Sequence, residues 1–190
     1  MICSLRSKIF IVCLLLLFCL APLIAGLKSS LFYVTKSSIR FRSEAALEII
    51  TAESQNMQGV VNIEKRTFAF SVLNSSFTGF NSTLQREHFN ENYLESDKYP
   101  VTLFKGKIIE DVDFTKPGTY EVRSKGTFIL HGVSRERIIR SKIIVKEGWF
   151  EIESDFMVFL NEYNIRVPKV VHEKIADAIL VELKLRLECK

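Results

Sequence analysis

The chain has 190 residues, 47% of them hydrophobic and 25% charged, with a formal net charge of +4. That length is too great for a peptide staple and too small for two full-sized domains, and 11% aromatics with modest charge exclude a disordered chain. Only one stretch is apolar enough to span a bilayer, which excludes a polytopic membrane protein.

That stretch, residues 9–20, carries no charge, follows Arg6 and Lys8, and stops near Pro22. With the small pair Ala25-Gly26 behind it, the pattern predicts a secretory signal peptide over residues 1–25 and a domain over 26–190. The alternative is an uncleaved N-terminal anchor, since residues 9–25 reach the lower limit for spanning. The bulky Phe18 beside Cys19 argues against a lipoprotein signal. Cleavage takes Arg6 and Lys8 from 26 cations set against 22 anions and leaves +2. So small a balance provides no concentrated basic patch and argues against a nucleic-acid partner. Cys3, Cys13 and Cys19 leave with the signal, and Cys189 alone can form neither an intrachain bridge nor a zinc site. The expected location is periplasmic or secreted, and the domain must rest on its hydrophobic core.

Along the rest of the chain, candidate strands fall at residues 37–45, 47–53, 57–63, 67–73 and 101–109. Next, Tyr120, Val122, Phe128 and Leu130 oppose Glu121, Arg123 and Lys125, and Ile139, Ile143 and Val145 oppose Arg140, Lys142 and Lys146. Phe150, Ile152, Phe156 and Val158 then alternate with Glu151, Glu153 and Asp155. Ile179 to Leu187 alternate in the same way with Glu182, Lys184 and Arg186. A period of two marks half-buried strands. Two stretches break it: residues 82–99, with helical spacing ended before Pro100, and residues 161–177, with a helical turn expected at 172–176. Eight or nine long strands with short polar turns predict an all-β, antiparallel, eight-stranded barrel with a short helical insertion.

Small residues recur in the middle of the apolar stripes: Gly106, Ser124, Gly126, Ser141 and Ser154. They leave either a hollow waist or bends that let a filled barrel close, and pattern alone does not separate the two. In a hollow barrel, Gly126→Leu or Ser154→Leu would fill the lumen without unfolding the protein.

Three runs carry a resemblance. The first is Leu84-Gln85-Arg86-Glu87-His88-Phe89, followed by Tyr93-Leu94-Glu95-Ser96, Lys98-Tyr99-Pro100 and Phe104-Lys105-Gly106. The second is Gly126-Thr127-Phe128-Ile129-Leu130-His131-Gly132-Val133-Ser134-Arg135, and the third runs from Phe156 through Tyr163-Asn164-Ile165 and Pro168 to an apolar last strand. In this order they resemble the YceI-like family over residues 31–188. The resemblance implies an extended, lipocalin-like barrel enclosing a polyisoprenoid or similar amphiphile, exported to the periplasm, with no catalytic machinery common to the family. The stretch Val34-Thr35-Lys36-Ser37-Ser38-Ile39 departs from the family's Asp-x-x-His-Ser opening and lacks its histidine.

Residues suited to catalysis are few. His88, His131 and His172 have no metal-pair spacing, and His131 before Gly132 reads as a turn residue. Ser134 lacks the second glycine of a nucleophile elbow. Glu151, Glu153 and Asp155 share the outer face, and Arg135, Arg137 and Arg140 form a charged rim. Asn74 and Asn81 each open a glycosylation sequon. No metal, cofactor or enzymatic activity is expected. The expected ligand is a polyisoprenoid, an isoprenoid quinone or another long-chain lipid. Its cavity is expected to be lined by Phe104, Ile108, Val122, Phe128, Leu130 and Ile143, and by Phe150, Ile152, Phe156, Val158 and Leu183. His88, Phe89, Tyr93 and Arg135 are expected at the mouth, with residues 82–95 as a lid. A ligand-free structural barrel and an envelope-lipid enzyme are the alternatives. Exposed strand edges or Cys189 would support a homodimer, and a lipid cargo implies transient membrane contact.

Overall fold

The computed structural model describes residues 30–189; the predicted signal segment lies outside the described residues. The alternating segments form nine strands: β1 (Leu31–Glu44), β2 (Ile49–Ser54), β3 (Gln58–Asn62), β4 (Thr67–Leu73), β5 (Val101–Ile108), β6 (Gly118–Leu130), β7 (Val133–Lys146), β8 (Trp149–Phe159) and β9 (Ala178–Cys189). Every pairing is antiparallel, and β9 returns to β1 and closes the sheet. Ile39 of β1 pairs with Ser54 on one side and Leu183 on the other, while Phe32 pairs with Val61 and Cys189. Thus β2 and β3 lie end to end along the same edge of β1 and serve as one interrupted stave. The expected eight-stave antiparallel barrel is the fold observed.

β1 starts six residues before the alternation suggested. The β1–β9 register shifts between Val34 and Lys36, which is a bulge. The bulge changes which parity faces inward: Phe32 is buried before it, and Ile39 and Ser43 after it. A strict period of two therefore loses the strand's first half. β7 also begins earlier than expected, at Val133. The hairpin joining it to β6 is a two-residue turn, His131-Gly132, with φ of 49° and 71°. Positive φ at both positions matches the twist of flanking strands, and glycine makes the second inexpensive.

The barrel is packed at one end and open at the other. At the end where β1 and β8 begin, Phe32, Phe114, Val122, Val145, Phe150 and Leu187 form a solid core. Phe114 reaches it from the β5–β6 loop. At the other end, helix α1 (Thr83–His88) lies beside the mouth, capped by Ser82, whose hydroxyl accepts from Gln85 N at 3.2 Å. A π-turn, Phe89–Tyr93, continues it. The helical turn expected at 172–176 starts instead at Lys169–Val171, directly after Pro168, whose φ of −61° leads into it.

β7 and β8 pair only from Lys142–Glu153 to Lys146–Trp149 and separate beyond. Ser154 Oγ donates to Arg140 O at 2.6 Å across the start of the gap. Arg137 crosses it further up, its guanidinium donating to Met157 O at 2.7 Å. The 3-10 turn Leu160–Tyr163 fills the space, and its Tyr163, fully buried, packs with Phe128, Leu130, Val158 and Ile165.

Candidate functional site

A cavity of about 540 Å³ runs from the mouth toward the packed end. Phe68, Phe70, Phe104, Phe128 and Phe156 supply aromatic wall, and Ile139, Ile143, Ile152, Val158 and Leu183 supply aliphatic wall. Ser124, Ser141 and Ser154 also face it, so the inward serines do leave space. The inward glycines behave differently. Gly106 and Gly126 sit opposite each other on β5 and β6. A Cβ on Gly106 would strike Lys125 O and Gly126 Cα, and one on Gly126 would strike Lys105 O. These two allow the strands to approach closely. Both sequence readings of the small residues therefore hold, each for a different residue type.

Of the residues expected on the wall, Phe104, Ile108, Phe128, Leu130, Ile143, Ile152, Phe156, Val158 and Leu183 line the cavity. Val122 and Phe150 do not. Both point inward, as alternation requires, but they lie below the cavity floor, in the packed core. Alternation reports which face a residue takes and says nothing of its depth along the barrel. At the mouth, His88, Phe89 and Tyr93 border the cavity, and burial pushes the Tyr93 phenol pKa up. Arg135 is not among the lining residues; its Nε donates to Glu162 O at 3.1 Å and braces the turn that fills the β7–β8 gap.

Sequence reasoning missed much of the mouth. Phe89 stacks on Phe41 with ring centroids 5.2 Å apart, and Phe80 and Phe77 lie 5.1 and 5.7 Å from it. Phe41 lies in the candidate strand 37–45 and keeps the parity of Ile39 and Ser43, but no local pattern ties it to the mouth, and Phe77 and Phe80 lie in a loop with no periodicity. Polar contacts fasten this aromatic latch. Glu48 accepts from Gln85 Nε2 at 2.6 Å and from Asn81 Nδ2 at 3.3 Å, which ties α1 to the β1–β2 turn. Asn74, also on the wall, is almost wholly buried; its Nδ2 donates to Tyr99 O at 2.6 Å, and its Oδ1 accepts from Thr102 at 2.7 Å. Its sequon is a structural knot, with the amide nitrogen committed.

The run around His131 also acquires a physical meaning. His131 Nδ1 donates to Tyr163 O at 3.0 Å, and Nε2 lies 2.5 Å from Glu95 Oε2. The Tyr99 ring packs edge-on against the imidazole, and any Cβ at Gly132 would run into that ring. His131 therefore joins three elements: the β6–β7 hairpin, the segment after the lid, and the turn in the gap. Ser134 is exposed on β7, while Glu153 pairs with Lys142 and Lys184 at 3.6 and 3.5 Å on the outer surface. Among the described residues, no three His, Cys, Asp or Glu side chains gather where they could hold a metal ion.

A closed eight-stave antiparallel barrel around an apolar lumen is the lipocalin-like architecture. The YceI-like domain matches residues 32–187, and the chain belongs to that family. Among solved structures, it is similar to a polyisoprenoid binding domain from Saccharophagus degradans implicated in plant cell wall breakdown. That similarity has a TM-score of 0.71 and 13% identity, covering 86% of this chain and all of that one. BcnA of Burkholderia cenocepacia matches with a TM-score of 0.67 and 10% identity over 79% of this chain and 95% of its own. A Campylobacter jejuni YceI protein matches with a TM-score of 0.60 and 14% identity over 73% and 84%. No curated protein matches the sequence.

Proposed function

We propose that this protein is an exported container that holds a long apolar lipid, a polyisoprenoid, isoprenoid quinone or similar chain, for transport, storage or protection under stress. The observation that carries this reading is the lumen itself: about 540 Å³, within the range of small-molecule sites, with walls built mainly of Phe, Ile, Val and Leu. An apolar chain seated in a lumen of that size makes the wall contacts that side chains make in a filled core. Apolar surface removed from water contributes roughly 25 cal/mol per Å², so a long hydrocarbon binds there without any catalytic group. The binding named for the Saccharophagus domain supports the same ligand class. A periplasmic or secreted location follows from the expected signal segment, and collection of the cargo involves brief contact with a membrane.

The test is uptake of a radiolabelled polyprenol from donor vesicles, followed by gel filtration. The protein should carry label into the monomer or dimer fraction, and Ser141→Leu, which grows into the lumen, should carry less. Absence of label on the folded wild-type protein would refute the proposal.

A further inference from the structure

The lumen has a definite floor. Val61, Ile108, Ile143 and Ile152 line its deep end, and the same four side chains line a second void of only about 10 Å³ beneath. On the far side of that void stand Phe114 and Phe150. Their ring centroids are 6.2 Å apart, and Phe150 packs on Phe32 at 4.2 Å. Phe32, Val145 and Leu187 pack in the same core.

Phe114 is not part of any stave. It projects from the β5–β6 loop, residues 109–117, and is nonetheless buried. The loop is fastened at several points. Arg123 donates to Glu110 through its backbone N–H at 2.6 Å and its Nε at 2.7 Å. Arg66 donates to Glu110 O at 3.1 Å and to Asp111 Oδ1 at 2.6 Å. Asp113 folds the tip by accepting from the Thr115 hydroxyl at 2.6 Å, and Tyr120 Oη donates to Lys116 O at 2.9 Å. The aromatic backing of the floor is therefore held from outside the barrel by contacts independent of the lumen's contents.

We propose that the aliphatic floor of Val61, Ile108, Ile143 and Ile152, backed by Phe114 and Phe150, acts as a length stop, setting the longest linear chain the lumen accepts with its polar end at the mouth. This rests on the lipid-container reading. A chain that reaches the floor gains contact with every added unit; a longer one must leave its remainder in water or distort the core. Truncating either phenylalanine to alanine enlarges the small void behind the floor by roughly the bulk of one isoprene unit, room into which the floor side chains can retreat before a longer chain.

The experiment measures equilibrium binding of linear prenols, from geraniol upward in single isoprene steps, delivered from cyclodextrin to the whole protein. For the wild type, affinity should rise with length and then stop rising. In Phe114→Ala and Phe150→Ala, the break should move about one isoprene unit longer. Ile108→Phe, which enlarges the floor into open lumen, should move it shorter and remains informative if an alanine variant fails to fold. A break at one length in the wild type and every folded variant overturns the length stop while leaving the container reading intact. Absence of prenol binding at any length overturns both.

Discussion

Two kinds of small residue stand on the inner faces, and a leucine has a different fate at each. Gly126 faces the backbone of β5, so Gly126→Leu has no lumen to enter and must push two strands apart. It should destabilise by at least the 1–3 kcal/mol typical of overpacking, read from urea unfolding; a midpoint equal to wild type would contradict this. Ser141 faces open cavity, so Ser141→Leu should fold within about 1 kcal/mol of wild type while lowering lipid capacity. Ser154→Leu is less clean, because it also removes the bond to Arg140 O, worth about 0.5–1.5 kcal/mol. Sequence alone placed all three on the inner face correctly and could not separate them. Whether a small inward residue meets a lumen or a neighbouring strand depends on sheet coiling, which no local pattern encodes.

At the scale of elements, the lid, the wedge in the gap and the floor loop each make a separable prediction. Phe89 anchors the lid in the four-ring cluster, so Phe89→Ala should speed ligand exchange severalfold in stopped-flow displacement more than it changes the fold. Tyr163 fills the β7–β8 gap; Tyr163→Ala should cost about 3–5 kcal/mol, as for other large buried aromatics, and a loss under about 1 kcal/mol by denaturant unfolding would show that the wedge is dispensable. The floor loop makes stability acid-sensitive. The Arg123 backbone N–H, then its guanidinium, hold the Glu110 carboxyl pKa below its ordinary value, and the Thr115 hydroxyl and N–H do the same for Asp113. A depressed carboxylate pKa stabilises the fold above the ordinary range near about 4 and loses that contribution as pH falls through the folded value. Melting temperature should therefore fall on acidification, less steeply in Glu110→Gln; equal slopes would remove Glu110 from this account.

These elements were unequally legible. β4, β5, β6, β8 and β9 keep one inward parity along their whole length and could be read directly. Of β1 only the part after its bulge could, as the candidate strand 37–45, because the register shift between Val34 and Lys36 reverses parity before it. The first half of β7 could not either, because its inward positions carry Arg135 and Arg137, whose role is to bridge a split in the barrel. The helical insertion was placed by its spacing over residues 82–99 and by Pro100, yet the rings that latch it come from a loop and from Phe41 on β1, which is distant in sequence.

For the whole molecule, the alternation of a hollow barrel and that of a filled one are identical. The lumen arises because eight staves close around a waist partly lined by serine, with one end closed by a floor packed over Phe114 and Phe150 and the other bordered by α1. A ligand that binds only the folded barrel must raise its stability by mass action, so a lipid-loaded sample should melt higher than a stripped one. The most direct measurement is mass spectrometry of the organic extract of folded protein purified from its own source without detergent. The container account predicts one dominant apolar lipid in near-equimolar amount. Repeated extracts with no such lipid, from protein that also fails to take up added polyprenol, would contradict it.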